Sequence, residues 1–409
     1  MDVFNQTQQT VFALLRASLW GQAFSPDPDT DWDAVWTELQ VQTTDTLCAE
    51  ALVQADPKNR LRYLQSIARR VSFWFRLMAE QKKLCALLAE EEIPCAVLKG
   101  AAAAQHYPQP TYRVMGDVDL IVPTKDCDRA GQLLEAKGCK LLNRDNFRHM
   151  EFSSQGIVIE LHKSFSILKN QYGLQVDQTI SAALSRAEQV NLEGFSFPVL
   201  PALENGMVLL EHINQHMEKG LGLRQIIDWM LYVDACLDDS LWQTEFQALA
   251  RSIGLETLAV TTTRMCQLYL GLGSHITWCQ NADPALCRQL MVYLLEQGNF
   301  GRKRGTDHNK TAAVLNSARN FPNLLCQLHR YGRHNWEAAA KYPILIPFSS
   351  FYQAFRYARY GLSRENPFRS LAEDLRNSRE LNTFFQQLGV LQRTQGVPPV
   401  TAKEHQPKK

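Results

Sequence analysis

No strong charge of either sign marks this chain. Lys and Arg number 43 against 42 Asp and Glu, a formal net charge of +1. No global field therefore points to nucleic acid or an anionic membrane surface, and nucleic acid is not an expected partner. Long apolar runs are missing too. No window holds 18 uninterrupted apolar residues, so a membrane span is not expected. The first residues, Met1-Asp-Val-Phe-Asn-Gln6, lack the basic cluster and apolar stretch of a secretory leader. The ten cysteines include no Cys-x-x-Cys pair and no zinc-like combination with histidine. Several sit in apolar runs, as Cys95 does in Ile93-Pro-Cys-Ala-Val-Leu98, and read as free thiols of a reducing compartment. The expected location is cytoplasmic. What is present is ordinary globular material, 45% apolar and 21% charged. At 409 residues the chain has room for two or three domains.

Hydrophobic periodicity divides the sequence. Phe12, Leu14, Leu15 and Leu19, then Leu61, Leu64, Ile67, Val71, Phe75 and Leu77, recur at helical spacing and predict an N-terminal helical region over 1–90. The texture then changes. Ile93–Leu98 reads as a buried strand, Lys99-Gly100 as a turn, and Ala101–His106 as a helix broken by Tyr107-Pro-Gln-Pro110. Strands are expected at Val118–Val122, Cys139–Leu142, His149–Ser153 and Ile157–His162, the last two joined by a hairpin at Ser154-Gln-Gly156. A helix is expected over Thr124–Lys137, closed by Gly138. Phe195–Phe197 reads as a short edge strand limited by Pro198. Residues 91–200 thus form an α/β core. The helical period returns from Pro201, and a C-terminal helical domain is expected over 201–394. The tail 395–409 has three prolines, three lysines and few apolar anchors, and is expected to be disordered.

One segment carries chemistry. In Arg113-Val-Met-Gly-Asp117-Val-Asp119-Leu-Ile-Val122, residues two apart in a strand face the same side. Asp117 and Asp119 then project together, and two adjacent carboxylates repel unless a cation lies between them. Mg2+, a hard cation that prefers oxygen, suits them. Glu160, in Gly156-Ile-Val-Ile-Glu-Leu-His162, offers a third carboxylate from another apolar strand, with His162 on its face. Three carboxylates on neighbouring strands are what two-metal phosphoryl-type chemistry requires. Upstream, Lys99 and Gly100 lie where a strand gives way to a helix, a place that suits phosphate. Lys99 and Arg113 add positive charge. The same residues also fit a plainer reading, in which Gly116-Asp-Val-Asp119 is a turn feeding a strand and Glu160 belongs to an exposed strand face.

The order of parts resembles the DNA polymerase beta-like nucleotidyltransferase superfamily. More narrowly, Val97-Leu-Lys-Gly100, Arg113-Val-Met-Gly-Asp-Val-Asp-Leu120 and Ile159-Glu-Leu-His162 are similar to the blocks of an uncharacterised bacterial nucleotidyltransferase family. Leu210-Glu-His212 and Leu223-Arg-Gln-Ile-Ile-Asp228-Trp fit its helical part. The resemblance implies an α+β fold, a nucleotidyltransferase-type mixed β-sheet core flanked by N-terminal and C-terminal helical regions. It implies catalytic and metal-binding roles for Asp117, Asp119 and Glu160, with two Mg2+ ions for which Mn2+ can substitute. Lys99, Gly100, Arg113 and Gly116 would bind the nucleotide. The reaction would move NMP from an NTP, with ATP expected, to a hydroxyl of a small-molecule or peptide/protein acceptor, releasing pyrophosphate. The superfamily turn usually has Gly followed by Gly or Ser, whereas this chain has Lys99-Gly100-Ala101. Alternatives are a non-catalytic nucleotide-sensing module of the same fold, a γ-phosphate phosphotransferase and an RNA-modifying enzyme.

Secondary candidates are His162, His212, Arg224 and Asp228, as acceptor contacts or as supports of the carboxylates. Three of them also have a bland reading. His162 fits a half-exposed strand histidine, and Arg224 with Asp228 fits an ordinary helical ion pair at i, i+4. The basic run Gly301-Arg-Lys-Arg-Gly305, within the polar loop 299–311, reads as a solvated loop. The aromatic and arginine-rich segment Phe351–Tyr360 reads as a helix packing its aromatics on the core while its arginines reach water.

Overall fold

The computed structural model describes residues 3–303 apart from 145, 169, 218 and 219, scattered positions between 325 and 339, and residues 342–362 and 379–390. The 395–409 tail and positions 304–311 of the basic loop lie outside the described residues. The architecture is α+β, as expected, with a mixed sheet set among many helices.

Four helices come first: α1 (Gln6–Trp20), α2 (Trp32–Gln42), α3 (Ala49–Ala55) and α4 (Arg60–Glu90). Their starts are written in the sequence. Asn5 caps α1 in a reciprocal box with Gln8, and Asp31 accepts from Ala34 N at the start of α2. Helix α4 spans 31 residues and joins two cores. Its first part places Tyr63 among α1–α3 and the later helices, while Trp74, Leu77, Met78 and Leu84 pack beneath the sheet. Burying each such side chain contributes on the order of 1.5–3 kcal/mol.

Seven strands follow: β1 (Ala96–Val97), β2 (Asp117–Ile121), β3 (Lys140–Asn143), β4 (His149–Ser154), β5 (Ile157–His162), β6 (Glu188–Leu192) and β7 (Phe195–Val199). Their order across the sheet is β3-β4-β5-β2-β1-β7-β6. Helices α5 (Gly100–Ala104), α6 (Cys127–Ala136) and α7 (Gln171–Ala183) interrupt them. Strand β2 runs parallel to β5 and antiparallel to β1. The β4–β5 and β6–β7 turns each use two residues with positive φ, Gln155-Gly156 and Glu193-Gly194. That geometry matches the twist of a tight hairpin and favours the glycine at its second position.

Two expectations need correction, and one strand was not anticipated. The Ile93–Leu98 run is buried throughout except Pro94, but only Ala96 and Val97 find strand partners. Phe195–Val199 is an interior strand, with β6 outside it. Its ladder to two-residue β1 involves Val199 alone, which leaves Pro198 clear of that side. Strand β6, Glu188-Gln-Val-Asn-Leu192, is the true edge, and its polar composition hides it from a search for buried alternation.

The sheet has two unlike faces. Val118, Leu120, Ile157, Ile159, Leu161, Met150 and Phe152 form one core with α6 and the later part of α4. The opposite face looks toward α8 (Ala202–Met217) and α9 (Leu223–Cys236), whose apolar residues share the larger core with α1–α3. Helix α8 is buried along almost its whole length, including Glu211, His212 and Asn214. Among the described residues no helix is long and apolar enough to cross a membrane. All nine described cysteines are free, and all but Cys236 are buried.

Candidate active site

Alternation and register assemble the site. In the β2–β5 ladder Asp119 stands beside Glu160, and Asp117 lies two residues back on the same face. Asp117, Asp119 and Glu160 each offer a ligand oxygen, all within 4.8 Å of one another. Across the β4–β5 ladder Glu151 opposes Glu160 and His149 opposes His162. One sheet face thus gathers four carboxylates and two imidazoles.

Lys99 and His162 steady the acids. Lys99 Nζ lies 2.7 Å from Asp119 Oδ1, and His162 Nε2 lies 3.0 Å from the same oxygen and 3.1 Å from Glu160 Oε2. His162 is 1% exposed, so the half-exposed reading is corrected: the ring is buried between two carboxylates. Lys99 reaches its partner from a backbone at φ 50°, ψ −123°, a region that L residues rarely adopt. Holding it there costs on the order of 1–3 kcal/mol, which the contact with Asp119 helps offset. The neighbouring Gly100 opens α5, and Gly116 precedes β2. A Cβ at Gly116 would meet no atom within 4 Å, and one at Gly100 would meet only Met115 Sδ at 3.7 Å. Both positions leave space beside the acids.

The electrostatics follow. Burial pushes the Asp117 carboxyl up to about 6, and Asp119 adds to the rise while Lys99 opposes it. Burial acts the same way on Asp119, but the Lys99 charge and the His162 hydrogen bond outweigh it and hold that carboxyl well below its ordinary range. For His162 burial disfavours the cation, yet its bonds to Asp119 and Glu160 raise its pKa. Burial also opposes the Lys99 charge, and Asp119, Asp117 and Glu160 outweigh it. An incompletely neutralised set of oxygens at short mutual distances fits a hard divalent cation.

The opposite wall is basic. Arg113, 4% exposed, donates through Nε and Nη2 to Asp228 on α9, at 2.8 and 2.6 Å. Tyr107 Oη donates to the same carboxylate at 2.7 Å. Asp228 therefore does not pair with Arg224, and the i, i+4 reading is corrected. Arg224 instead donates Nη1 to Val114 O at 2.8 Å. Its Nε is buried without a hydrogen-bond partner among the described residues. Burial, then the charge of Arg113, lowers its pKa. His212 is held well below its ordinary value, first by burial, then by His216, Lys99, Arg224 and Arg113. It is a neutral imidazole in a cationic setting.

Sequence reasoning missed Tyr107, Arg148 and His149. Arg148 bonds Phe165 O and Gln215 and shares the field of Glu160 and Asp119. The signal that could have found His149 was its place opposite His162, visible only once the hairpin register is fixed. Arg302 and Lys303, at the start of the basic loop, are exposed and also contact α2, Lys303 through Glu38 and Arg302 through Gln40 O. Phe351 and Phe355 are 74% and 67% exposed, so that helix does not pack these aromatics on the core.

Comparison with known proteins completes the picture. No curated protein sequence matches the chain significantly. Among solved structures, an antigenic nucleotidyltransferase-like protein from Paracoccidioides brasiliensis is similar at 16% identity and a TM-score of 0.33, over 49% of this chain and 96% of that one. The model of a family described as uncharacterised nucleotidyltransferase matches residues 28–271. With its carboxylates, its Lys-Gly turn and helices α8 and α9 all inside that span, this chain belongs to the uncharacterised nucleotidyltransferase family.

Proposed function

We propose that this protein transfers a nucleoside monophosphate from an NTP, with ATP expected, to a hydroxyl of a small-molecule or peptide/protein acceptor. The observation that carries this reading is the meeting of Asp117, Asp119 and Glu160 within 4.8 Å, faced by the cations Lys99, Arg113 and Arg224. Asp117, Asp119 and Glu160 would hold two Mg2+ ions, or Mn2+ in their place. Such ions lower the pKa of an attacking hydroxyl and neutralise charge on the triphosphate and leaving pyrophosphate. The chain's own residues do the rest. Lys99 and Arg224 draw the triphosphate toward the carboxylates. Gly100 and Gly116 let it approach the backbone. Arg113, locked by Asp228, shapes the wall beneath Val114, whose carbonyl orients Arg224. His162 holds the Glu160 carboxylate in place, and Glu160 takes the acceptor's proton. The acceptor oxygen bonds to the α-phosphorus, the α–β bridge breaks, and pyrophosphate leaves. We place the acceptor against the helical region 201–394, whose apolar residues share one core with α1–α3.

The test uses ATP labelled at the α- or the γ-phosphorus, with Mg2+ or Mn2+, across a panel of hydroxyl acceptors. Label from the α position should reach the acceptor, and the Asp117→Ala plus Asp119→Ala double variant should transfer none. Transfer of the γ label would mean a phosphotransferase. ATP binding without transfer to any acceptor would mean a sensing module.

A further inference from the structure

We propose that His149, Glu160 and His162 form a second, nitrogen-containing metal site that shares Glu160 with the all-oxygen site and takes a borderline divalent ion such as Zn2+. The inference deepens the proposed function, because it rests on the same Glu160, but binding at this site needs no nucleotide.

The geometry comes first. One donor atom from each of the three residues lies within 4.8 Å of the others. His162 Nε2 is 3.1 Å from Glu160 Oε2, and His149 Nδ1 is 3.9 Å from that oxygen. Both separations suit neighbouring ligands around one ion with bonds near 2 Å. His149 is 3% exposed, and its Nδ1 is buried with no hydrogen-bond partner among the described residues. A buried nitrogen facing a carboxylate at that distance, too far to bond it, is costly unless something lies between them.

The surroundings then bear on each ring. His149 Nε2 lies 3.2 Å from Glu151 Oε1 and 2.9 Å from Asn146 Nδ2. With an ion on Nδ1 the proton sits on Nε2 and is donated to Glu151, and the Asn146 amide nitrogen, itself a donor, turns away. His162 Nδ1 lies 3.4 Å from Ser164 O, which leaves Nε2 for the ion once its proton is displaced. Carboxylate or carbonyl behind imidazole is the usual outer support of a histidine metal ligand. The ladder supplies a further reason. Glu151 and Glu160 are direct cross-strand partners, a like-charge pairing that destabilises a sheet. A cation held beside them relieves it.

Donor chemistry fixes the class of ion. Two imidazoles and one carboxylate favour zinc and its neighbours over Mg2+, which prefers oxygen and keeps its water. Asp117 and Asp119 lie outside this donor set, and Glu160 is common to both sites.

The experiment titrates Zn2+ into full-length protein stripped with EDTA, with no nucleotide, by calorimetry, and records zinc-edge X-ray absorption of the 1:1 complex. The expected result is two imidazoles per zinc, no displacement by millimolar Mg2+, and a loss of at least about tenfold in affinity for His149→Gln. Asp117→Asn should keep the two-imidazole signal, because its carboxylate lies outside the donor set. Zinc bound through oxygen alone, or an unchanged two-imidazole signal in His149→Gln, would overturn the proposal. The absorption measurement on the unaltered protein keeps the test decisive if His149→Gln fails to fold. Two-imidazole zinc without α-label transfer would remove the proposed reaction and leave this site standing. Transfer without the imidazole signal would do the reverse.

Discussion

Arg113 and Asp228 lie 115 positions apart and form a buried, two-pronged ion pair that joins the approach to β2 with the middle of α9. Tyr107 completes the carboxylate's coordination. Breaking such a pair by deleting one partner leaves a charge without solvent or counter-ion. Asp228→Ala should therefore cost about 3–5 kcal/mol. Urea unfolding monitored by circular dichroism would measure it, and a loss under about 1 kcal/mol would show that the pair is not structural.

Arg224 should behave in the opposite way. Its guanidinium makes no ion pair among the described residues, and its Nε is unpartnered. Arg224→Gln removes a desolvated charge, so the ligand-free protein should keep or gain thermal stability. The loss should appear in nucleotide binding, with KM for the NTP rising about tenfold to hundredfold, the weight of a charge-assisted hydrogen bond. A fall in Tm with unchanged KM would mean that Arg224 supports the fold instead.

How much of this could be read from the sequence follows a physical divide. Asp117, Asp119 and Glu160 were legible because strand alternation and apolar neighbours act over a few residues. The Lys99-Gly100 turn was legible for the same reason. The partner of Arg113 was not, because no local rule links positions 113 and 228; local spacing suggested Arg224 instead. His149 was hidden until the β4–β5 register placed it across from His162. Strand β6 was missed because an edge strand has no need of buried alternation. Nor does helical periodicity reveal that α1–α3 share their core with α8 and α9.

Gly116 separates a role in binding from a role in folding. A Cβ there would meet no atom within 4 Å. Gly116→Ala should thus unfold within about 1 °C of the parent. If the triphosphate passes over this position, KM for the NTP should rise about tenfold, or 1.4 kcal/mol. Steady-state kinetics beside differential scanning fluorimetry would decide, and unchanged KM would remove Gly116 from the nucleotide contacts.

Asp117 should show the conflict between site and stability as a pH dependence. Burial, with help from Asp119, pushes its carboxyl up from an ordinary 3.8 to about 6 in the folded protein. The folded state therefore binds this proton more readily than the unfolded state. Its favourable contribution is complete below about pH 4 and is lost as the pH rises through 6. At pH 7.5 in EDTA the buried charge is a burden, and Asp117→Asn should raise Tm by on the order of 2–5 °C. At pH 4 the difference should close, because the parent is then neutral at this position too. Adding Mg2+ at pH 7.5 should stabilise the parent and not the variant, since metal binding to the folded state adds to stability. Calorimetric scans across this range, with and without Mg2+, would test all three statements. A variant stabilised equally at pH 4 and 7.5 would show that packing, not the carboxylate's charge, sets the effect.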